Sequence, residues 1–148
     1  MSKEFDVDEI MGQLEKELQV VLREVGVRVA SAVILFTPIG RPDLWLSPPP
    51  RDYQPGTARG NWRAGIGRVP TTQEIDVQDP AGANTISLAQ AVIRTWDGKR
   101  DLYISNAADH IVPLDDGTAS RQTNGPGFVA KAVKAGIAAV NRVAQEVP

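Results

Sequence analysis

The sequence YISNAADHIVPLDDGTASRQTNGPGFV occupies residues 103–129 and decides the fold that we predict for this chain. Two short apolar runs, at 102–105 and 111–114, predict a strand that the second run either extends or pairs with. A polar loop at 118–124 then leads into the last helix. Because long polar loops held by regular elements often form binding surfaces, we expect this stretch to bind a partner rather than to catalyse a reaction.

The two ends of the polar loop carry residues that are typical of turns. The tripeptide Asp-Asp-Gly at 115–117 closes the second apolar run. At the other end, Gly125 and Gly127 supply a turn in which side chains would clash, and Pro126 suits the first turn of a helix. That helix is predicted over 127–147. Its apolar stripe falls at spacings of three and four residues: Val129, Val133, Ile137, Val140 and Ala144.

The longest periodic segment, at 6–36, predicts the first helix. Its apolar residues recur mostly every three or four positions: Ile10, Leu14, Leu18, Val21, Leu22, Val25, Val29, Val33 and Phe36. Asp6 can cap its start, and Pro38 ends it because proline cannot continue the helix. Such a helix spans about 45 Å, which is longer than a domain of this size needs. We therefore expect either a break near Gly26 or one end packed on a neighbouring subunit.

Residues 37–60 form a proline-rich insert, with six prolines. We predict neither helix nor central strand within it, because proline removes a backbone donor and fixes φ. An irregular segment of this length is uncommon in a compact domain and is usually functional or poorly ordered. Leu44, Trp45 and Leu46 form an apolar group inside the insert, which either docks on the domain itself or anchors a partner.

Three further elements are predicted between the insert and residue 102. Alternating apolar residues predict strands at 61–69 and 72–77, and a short helix runs from a cap at Asn84 or Thr85 to Trp96. All 148 residues are thus predicted to form one α+β domain. It has a small antiparallel sheet of three to four strands, on which the short middle helix and the C-terminal helix pack. The expected sheet core contains Trp62, Ile66, Tyr103 and Ile104.

Composition excludes several classes of function. The net charge is −2, so no strong basic field draws the chain to nucleic acid. The absence of cysteine and the single histidine exclude disulfides, thiolate chemistry and Cys/His zinc sites. No apolar run approaches the roughly 20 residues that a membrane span needs. We predict no cofactor, no metal and no membrane contact, and the polar N-terminal residues do not resemble a signal peptide.

One acidic cluster is a candidate for chemistry. Asp109, Asp115 and Asp116 lie near His110 in the sequence, and a metal site or an acid–base site could be formed from them. The histidine, however, has no evident orienting partner, and Asp-Asp-Gly is common in turns. We therefore predict that the chain is not an enzyme.

A basic cluster interleaved with aromatic residues is a candidate for binding. It contains Arg51, Arg59, Arg63 and Arg68, with Tyr53 and Trp62 among them. Such a group can grip phosphate and stack bases, but protein interfaces favour the same residue types. Because the whole chain is acidic, we favour a protein interface over nucleic acid.

Two stretches resemble a known family. The first is Thr37-Pro38 followed, after the insert, by GTARGNW at 56–62, which is similar to the run T-P-x-x-T-G-x-x-R-x-x-W. The second combines ISN at 104–106, LDDGTASRQ at 114–122 and GPGFV at 125–129, which is similar to I-x-N … L-E-x-G-x-S-x-Q-x-P-x-G-hydrophobic. Both runs are found in neck and tail-completion proteins of long-tailed bacteriophages, the family of minor tail protein Z. With the two terminal helices, the likeness covers nearly the whole chain.

The chain departs from the family pattern in four places. The insert is longer than expected, and Asp115 stands where glutamate is usual. One extra residue separates Gly117 from Ser120, and alanines at 107–108 replace the usual Pro-Tyr. The last two departures affect the shape of the corner and loop at 106–124.

The resemblance implies a virion component that acts without catalysis or cofactor. Such proteins form homo-oligomeric rings, commonly of six copies, and join a finished tail to a filled head. The implied partners are the connector or stopper, the tail terminator and the tail tube, while DNA at most passes through the ring. The implied location is the virion neck, with assembly in the host cytoplasm. Two alternatives stay open: a tail-tube terminator or head-side stopper, and a small DNA-binding protein.

Ring closure requires two different surfaces on each subunit. The long first helix can supply one surface, and the insert or the polar loop can supply the other. The insert-side candidates are Leu44, Trp45, Tyr53, Arg59 and Arg63. The loop-side candidates are Asp115, Gly117, Ser120, Arg121 and Gln122.

Overall fold

The computed structural model describes residues 4, 6–49, 51, 53–74, 76–122 and 126–146. Its elements follow the order α1 (Val7–Phe36), a 3₁₀ turn (Pro42–Leu44), α2 (Thr57–Gly60), β1 (Trp62–Ile66), α3 (Ala83–Ile93), β2 (Leu102–Asn106), α4 (Ile111–Asp115) and α5 (Phe128–Glu146). The fold therefore mixes helices and sheet and begins with a long helix, as the sequence predicts.

The first helix runs through Gly26 without the break that we considered. Asp6 caps its start, because the Asp6 carboxylate accepts hydrogen bonds from the N–H groups of Asp8 and Glu9 at 3.0 and 3.2 Å. Gly26 is buried, and a Cβ added there would lie 2.9 Å from Cδ2 of Leu102. This glycine therefore lets β2 approach the helix closely.

The sheet in the described residues has two antiparallel strands. Trp62 lies opposite Asn106, and Ile66 lies opposite Leu102. The two strands match the cores of two predicted strands, although β1 ends three residues earlier than predicted. The predicted sheet of three to four strands is not confirmed.

The two further predicted strands are replaced by other structure. The run at 111–114 lies in α4, where Leu114 is buried. Pro113 has no N–H to donate to a neighbouring strand, so this residue suits the helical turn better than a sheet. Residues 72–74, 76 and 77 are irregular, and residue 75 lies outside the described residues. The side chain of Asn61 holds that segment instead, because it accepts from the N–H of Glu74 at 2.8 Å and donates to the Glu74 carbonyl at 2.9 Å.

The main core lies between α1, α3, α5 and the sheet, and α5 packs chiefly along α1 rather than on the sheet as predicted. The contact is close at Gly136, where an added Cβ would lie 2.8 Å from the Cα of Val29. The buried members of this core are Ala30, Val33, Ile34, Trp62, Ala89, Ile93 and Ala132. The predicted sheet-core residues Ile66, Tyr103 and Ile104 are half-buried.

The insert contains two short helical turns, so the prediction that it holds no helix is wrong. Pro42 begins the 3₁₀ turn, since proline is tolerated in the first turn of a helix. Gly56, with φ +88°, leads into α2. The left-handed conformation of this glycine lets the chain reverse direction before α2 begins.

The short middle helix is also capped differently from the prediction. Its start is held by Asp79, which is 6% exposed and precedes the helix by four residues. The Asp79 carboxylate accepts hydrogen bonds from the Gly82 N–H at 3.0 Å and from the N–H and hydroxyl of Thr85 at 2.8 Å each. These bonds lower the pKa of Asp79 against the opposing effect of its burial. Neither Asn84 nor Thr85 is the cap, and α3 ends at Ile93 rather than Trp96.

Candidate protein-interaction surfaces

The first half of α1 carries an apolar face that no other described element covers. We call residues 7–21 the arm, because nearly every residue in it is exposed. Five of its large apolar side chains recur at spacings of 4, 3, 4 and 3 and are each 51–66% exposed: Val7, Met11, Leu14, Leu18 and Val21. We call these five the seam. A strict alternation of threes and fours is the pattern by which a helix packs against another helix.

The second surface is formed where the insert meets the polar loop. The N–H of Leu46 donates to the carbonyl of Ala119 at 3.0 Å, and the N–H of Arg121 donates to the carbonyl of Leu44 at 2.8 Å. Between them, Trp45 and Ser120 form an isolated antiparallel bridge. The apolar group of the insert thus docks on its own chain. Leu44, Trp45 and Tyr53 of the insert-side candidates lie beside Ser120 and Arg121 of the loop-side candidates, and we call this region the insert–loop joint.

An aromatic cluster fills the joint. The ring centroids of Trp45, Tyr53 and His110 lie 4.7 to 5.7 Å apart. Burial raises the pKa of Tyr53, and the neighbouring Trp45 side chain opposes that shift. Burial likewise lowers the pKa of His110, and the charge of Asp109 opposes that shift. The cluster therefore favours an uncharged histidine.

Three polar atoms at the joint are buried without a hydrogen-bond partner among the described residues. They are Nε1 of Trp45, Nε2 of His110 and Oε1 of Gln122. The backbone N–H of Gln122 donates to the hydroxyl of Ser120 at 3.1 Å. Of the ten candidate contact residues, Arg121 is exposed, Ser120 is buried and the other eight are half-buried. Nine of the ten are therefore at least partly covered by their own chain.

Arg59 lies at the end of α1 and binds backbone carbonyls of its own chain. Its guanidinium donates to the carbonyl of Thr37 at 2.7 and 3.0 Å, to that of Leu35 at 3.0 Å and to that of Pro80 at 2.5 Å. The last carbonyls of a helix have no hydrogen-bond partner within the helix. A cation beside them also interacts favourably with the negative end of the helix dipole. The same end is tied to β1, because Nε1 of Trp62 donates to the Thr37 hydroxyl at 2.7 Å.

Arg63 is similarly engaged within the fold. Its guanidinium donates to the carbonyl of Gly60 at 2.6 Å and pairs with the Glu74 carboxylate at 2.6 Å. The other two arginines of the basic cluster, Arg51 and Arg68, are exposed. Whether Arg59 and Arg63 also contact a partner stays a prediction.

Asp115 connects α4 to the start of α5. Its carboxylate accepts a hydrogen bond from the N–H of Val129 at 2.9 Å, and its carbonyl accepts one from the N–H of Gly127 at 2.7 Å. Gly127 has φ +86°, but an added Cβ would meet nothing within 4 Å, so its conformation rather than crowding requires glycine. Gly117 has φ +75° at the end of α4, and Gly125 lies outside the described residues.

The described residues contain no group of three His, Asp or Glu side chains that could share a metal ion. His110 points into the aromatic cluster and Asp115 caps a helix, so the acidic candidates of the sequence are not assembled into one site. Within the same residues, no helix combines the length and apolar character that crossing a bilayer requires.

Sequence reasoning missed several of these positions. Val7 and Met11 were not among the periodic residues of the first helix, although the alternation of threes and fours includes them. The contacts of Thr37 with Arg59 and Trp62 carried no evident signal, because these residues are 22 and 25 positions away. The role of Asp79 was also missed, although its partners Gly82 and Thr85 are only three and six residues away. Comparison of the chain with family models, curated proteins and solved structures finds no match.

Proposed function

We propose that the chain is a structural subunit of the neck of a long-tailed bacteriophage, where it joins head and tail by protein–protein contact. In this proposal the subunits form a ring, commonly of six copies in the family that the sequence resembles. The partners are the connector or stopper, the tail terminator and the tail tube. The subunit needs no catalysis and no cofactor.

The observation that carries the proposal is the exposed seam of the arm. Five large apolar side chains on one helix face, each more than half exposed, form the kind of patch that marks an interaction site. An assembly subunit buries such a face against its neighbour. The contact that closes a ring joins two different surfaces, and an arm that extends beyond the folded part is suited to reach the next subunit. The two motif runs that resemble the neck family are the second support.

A joining assay tests this function. Heads and tails should accumulate separately when the gene for this chain is inactivated, and added purified protein should join them, as counted by electron microscopy. The variant Leu14→Asp/Leu18→Asp should fail to join them. A matched variant on the opposite face of the arm, Gln13→Asp/Lys16→Asp, should join them normally. Joining by the seam variant at the wild-type level would refute the proposed role.

The position of the ring in the neck is a separate question. A tail-completion ring, a tail terminator and a head-side stopper all act by protein contact and differ only in their neighbours. Density of an assembled virion neck distinguishes them, because the seam should meet a different chain or copy in each case. Density that lacks this chain altogether would contradict all three.

A further inference from the structure

The seam is bordered by acidic residues. In the seven-residue repeat of a packed helix, Met11 and Leu18 take one core position and Val7, Leu14 and Val21 take the other. The positions that border such a core are then filled by Asp8, Glu15, Glu17 and Ile10. The only cation of the arm, Lys16, lies on the face opposite the seam. The surface that covers the seam should therefore be basic at its edges.

The outer face of α5 has the opposite character. Its exposed residues fall along one side of the helix: Ala130, Lys131, Lys134, Ile137, Ala138, Asn141 and Arg142. Within the described side chains, these three cations have no ion-pair partner and no acidic residue lies on the same face. Ile137 is 45% exposed and lies midway along the length of the face. We call these seven residues the α5 outer face.

We propose that the seam of one subunit docks on the α5 outer face of a second copy of this chain, head to tail. The lengths agree, since Asp8 to Glu17 spans about 14 Å and Lys131 to Arg142 spans about 17 Å along their helices. The aliphatic stems of lysine and arginine can cover the apolar seam while their charged ends meet the acidic border. This inference deepens the proposed function by naming the ring contact, and it rests on that function only for closure into a ring.

The arm cannot cover the α5 outer face of its own chain. The inner face of α5 packs on the second half of α1, with Gly136 against Val29. Because α1 is one continuous helix, the arm continues from that packed half and stays on the inner side of α5. The α5 outer face is therefore left for another molecule.

Packing of one seam against another is disfavoured by charge. The arm carries four acidic residues, Asp8, Glu9, Glu15 and Glu17, and one lysine. Two arms packed together would bring two net negative surfaces into contact, and the symmetric pair would leave both α5 outer faces open. Docking of the seam on the α5 outer face pairs opposite charges. It also leaves each pair of subunits with one unused seam and one unused α5 outer face, so that further copies can add until a ring closes.

Cross-linking tests the contact, because the chain has no cysteine of its own. A Leu14→Cys variant and a size-tagged Ile137→Cys variant are mixed and treated with a short bis-maleimide. We expect the mixed dimer to be the main product. A product in which Leu14→Cys is joined mainly to itself, or no cross-linked product at all, would overturn the proposal. Lys16→Cys, on the face of the arm opposite the seam, with Val112→Cys, an exposed residue on α4, serves as the background for random collision.

Charge exchange makes the test specific. Glu15→Lys/Glu17→Lys in the Leu14→Cys chain should lower the yield of the mixed dimer about tenfold by placing like charges together. Lys131→Glu/Lys134→Glu in the Ile137→Cys chain should restore it. A yield that is unchanged by the first exchange, or not restored by the second, would overturn the proposed pairing. Cross-linking that succeeds while the joining assay fails removes the proposed neck function and leaves this contact standing.

Discussion

Replacement of Arg59 by methionine tests whether this residue serves the fold or a partner. The arginine donates four hydrogen bonds to three backbone carbonyls, two of them to Thr37, which is 0% exposed. Methionine keeps most of the apolar stem but removes every donor. We therefore expect Arg59→Met to destabilise the isolated protein.

The size of the expected destabilisation depends on which of the three carbonyls can bind water once the arginine is gone. Leu35 and Pro80 are exposed, so their carbonyls rehydrate at little cost. The Thr37 carbonyl is buried, and a buried polar group that loses its partner costs about 1–3 kcal/mol. With the loss of the favourable charge at the end of α1, the free energy of unfolding should fall by about 2–3 kcal/mol. For a chain of this size, that corresponds to a fall in Tm of roughly 5–10 °C.

Urea unfolding followed by tryptophan fluorescence measures this change, since Trp62 is buried beside the Thr37 hydroxyl. Arg68→Met is the matched control, because Arg68 is exposed, and its stability should stay within about 0.5 kcal/mol of the wild type. If Arg59→Met is no less stable than Arg68→Met, the inward role of Arg59 is refuted. The residue would then be available to a partner, as the sequence predicts.

Three further changes have defined outcomes. Burial lowers the pKa of His110 in the folded state, so its contribution to stability should be complete above about pH 6.5 and be lost as pH falls below that value. Urea unfolding between pH 7.5 and 5 should therefore show a steeper loss for the wild type than for His110→Phe, and parallel curves would contradict this. Asp115→Ala removes the acceptor for the Val129 N–H, so it should lower the free energy of unfolding by about 1 kcal/mol. It should also speed amide hydrogen exchange in the first turn of α5. Unchanged exchange would show that Asp115 does not cap this helix. Gly136→Ala should destabilise by about 1–3 kcal/mol because its Cβ would meet the backbone of α1, whereas Gly12→Ala, in open space, should stabilise by up to about 1 kcal/mol. Equal effects of the two alanines in thermal unfolding would show that α1 and α5 are not in close contact.

The features that could be predicted from the sequence are those with local causes. The two long helices follow from apolar spacing, the start of α1 follows from the Asp6 side chain, and its end follows from Pro38. The cores of β1 and β2 follow from short apolar runs. Each of these depends on residues within a few positions of one another.

The wrong strand predictions have the opposite cause, because contacts with residues distant in sequence decide the structure there. The run at 111–114 is as apolar as a strand but forms a helical turn, because burial of Leu114 among Ala58, Ala119 and Phe128 outweighs local preference. The described residues of the segment at 72–77 form no strand, since side-chain bonds from Asn61 hold its backbone at Glu74 instead. Strand and helix patterns over five residues do not differ enough to decide between such outcomes.

The sequence alone was enough for the helical framework and for the presence of an apolar stripe along α1, since periodicity and capping act over one or two turns. It did not reveal that the stripe is covered in one half and bare in the other, because that depends on which residues of α1 the other elements pack against. Nor did it show that Trp45 meets Ser120, or that Arg59 turns inward to Thr37. These contacts join residues distant along the chain, and only the packing of the whole molecule brings such residues together.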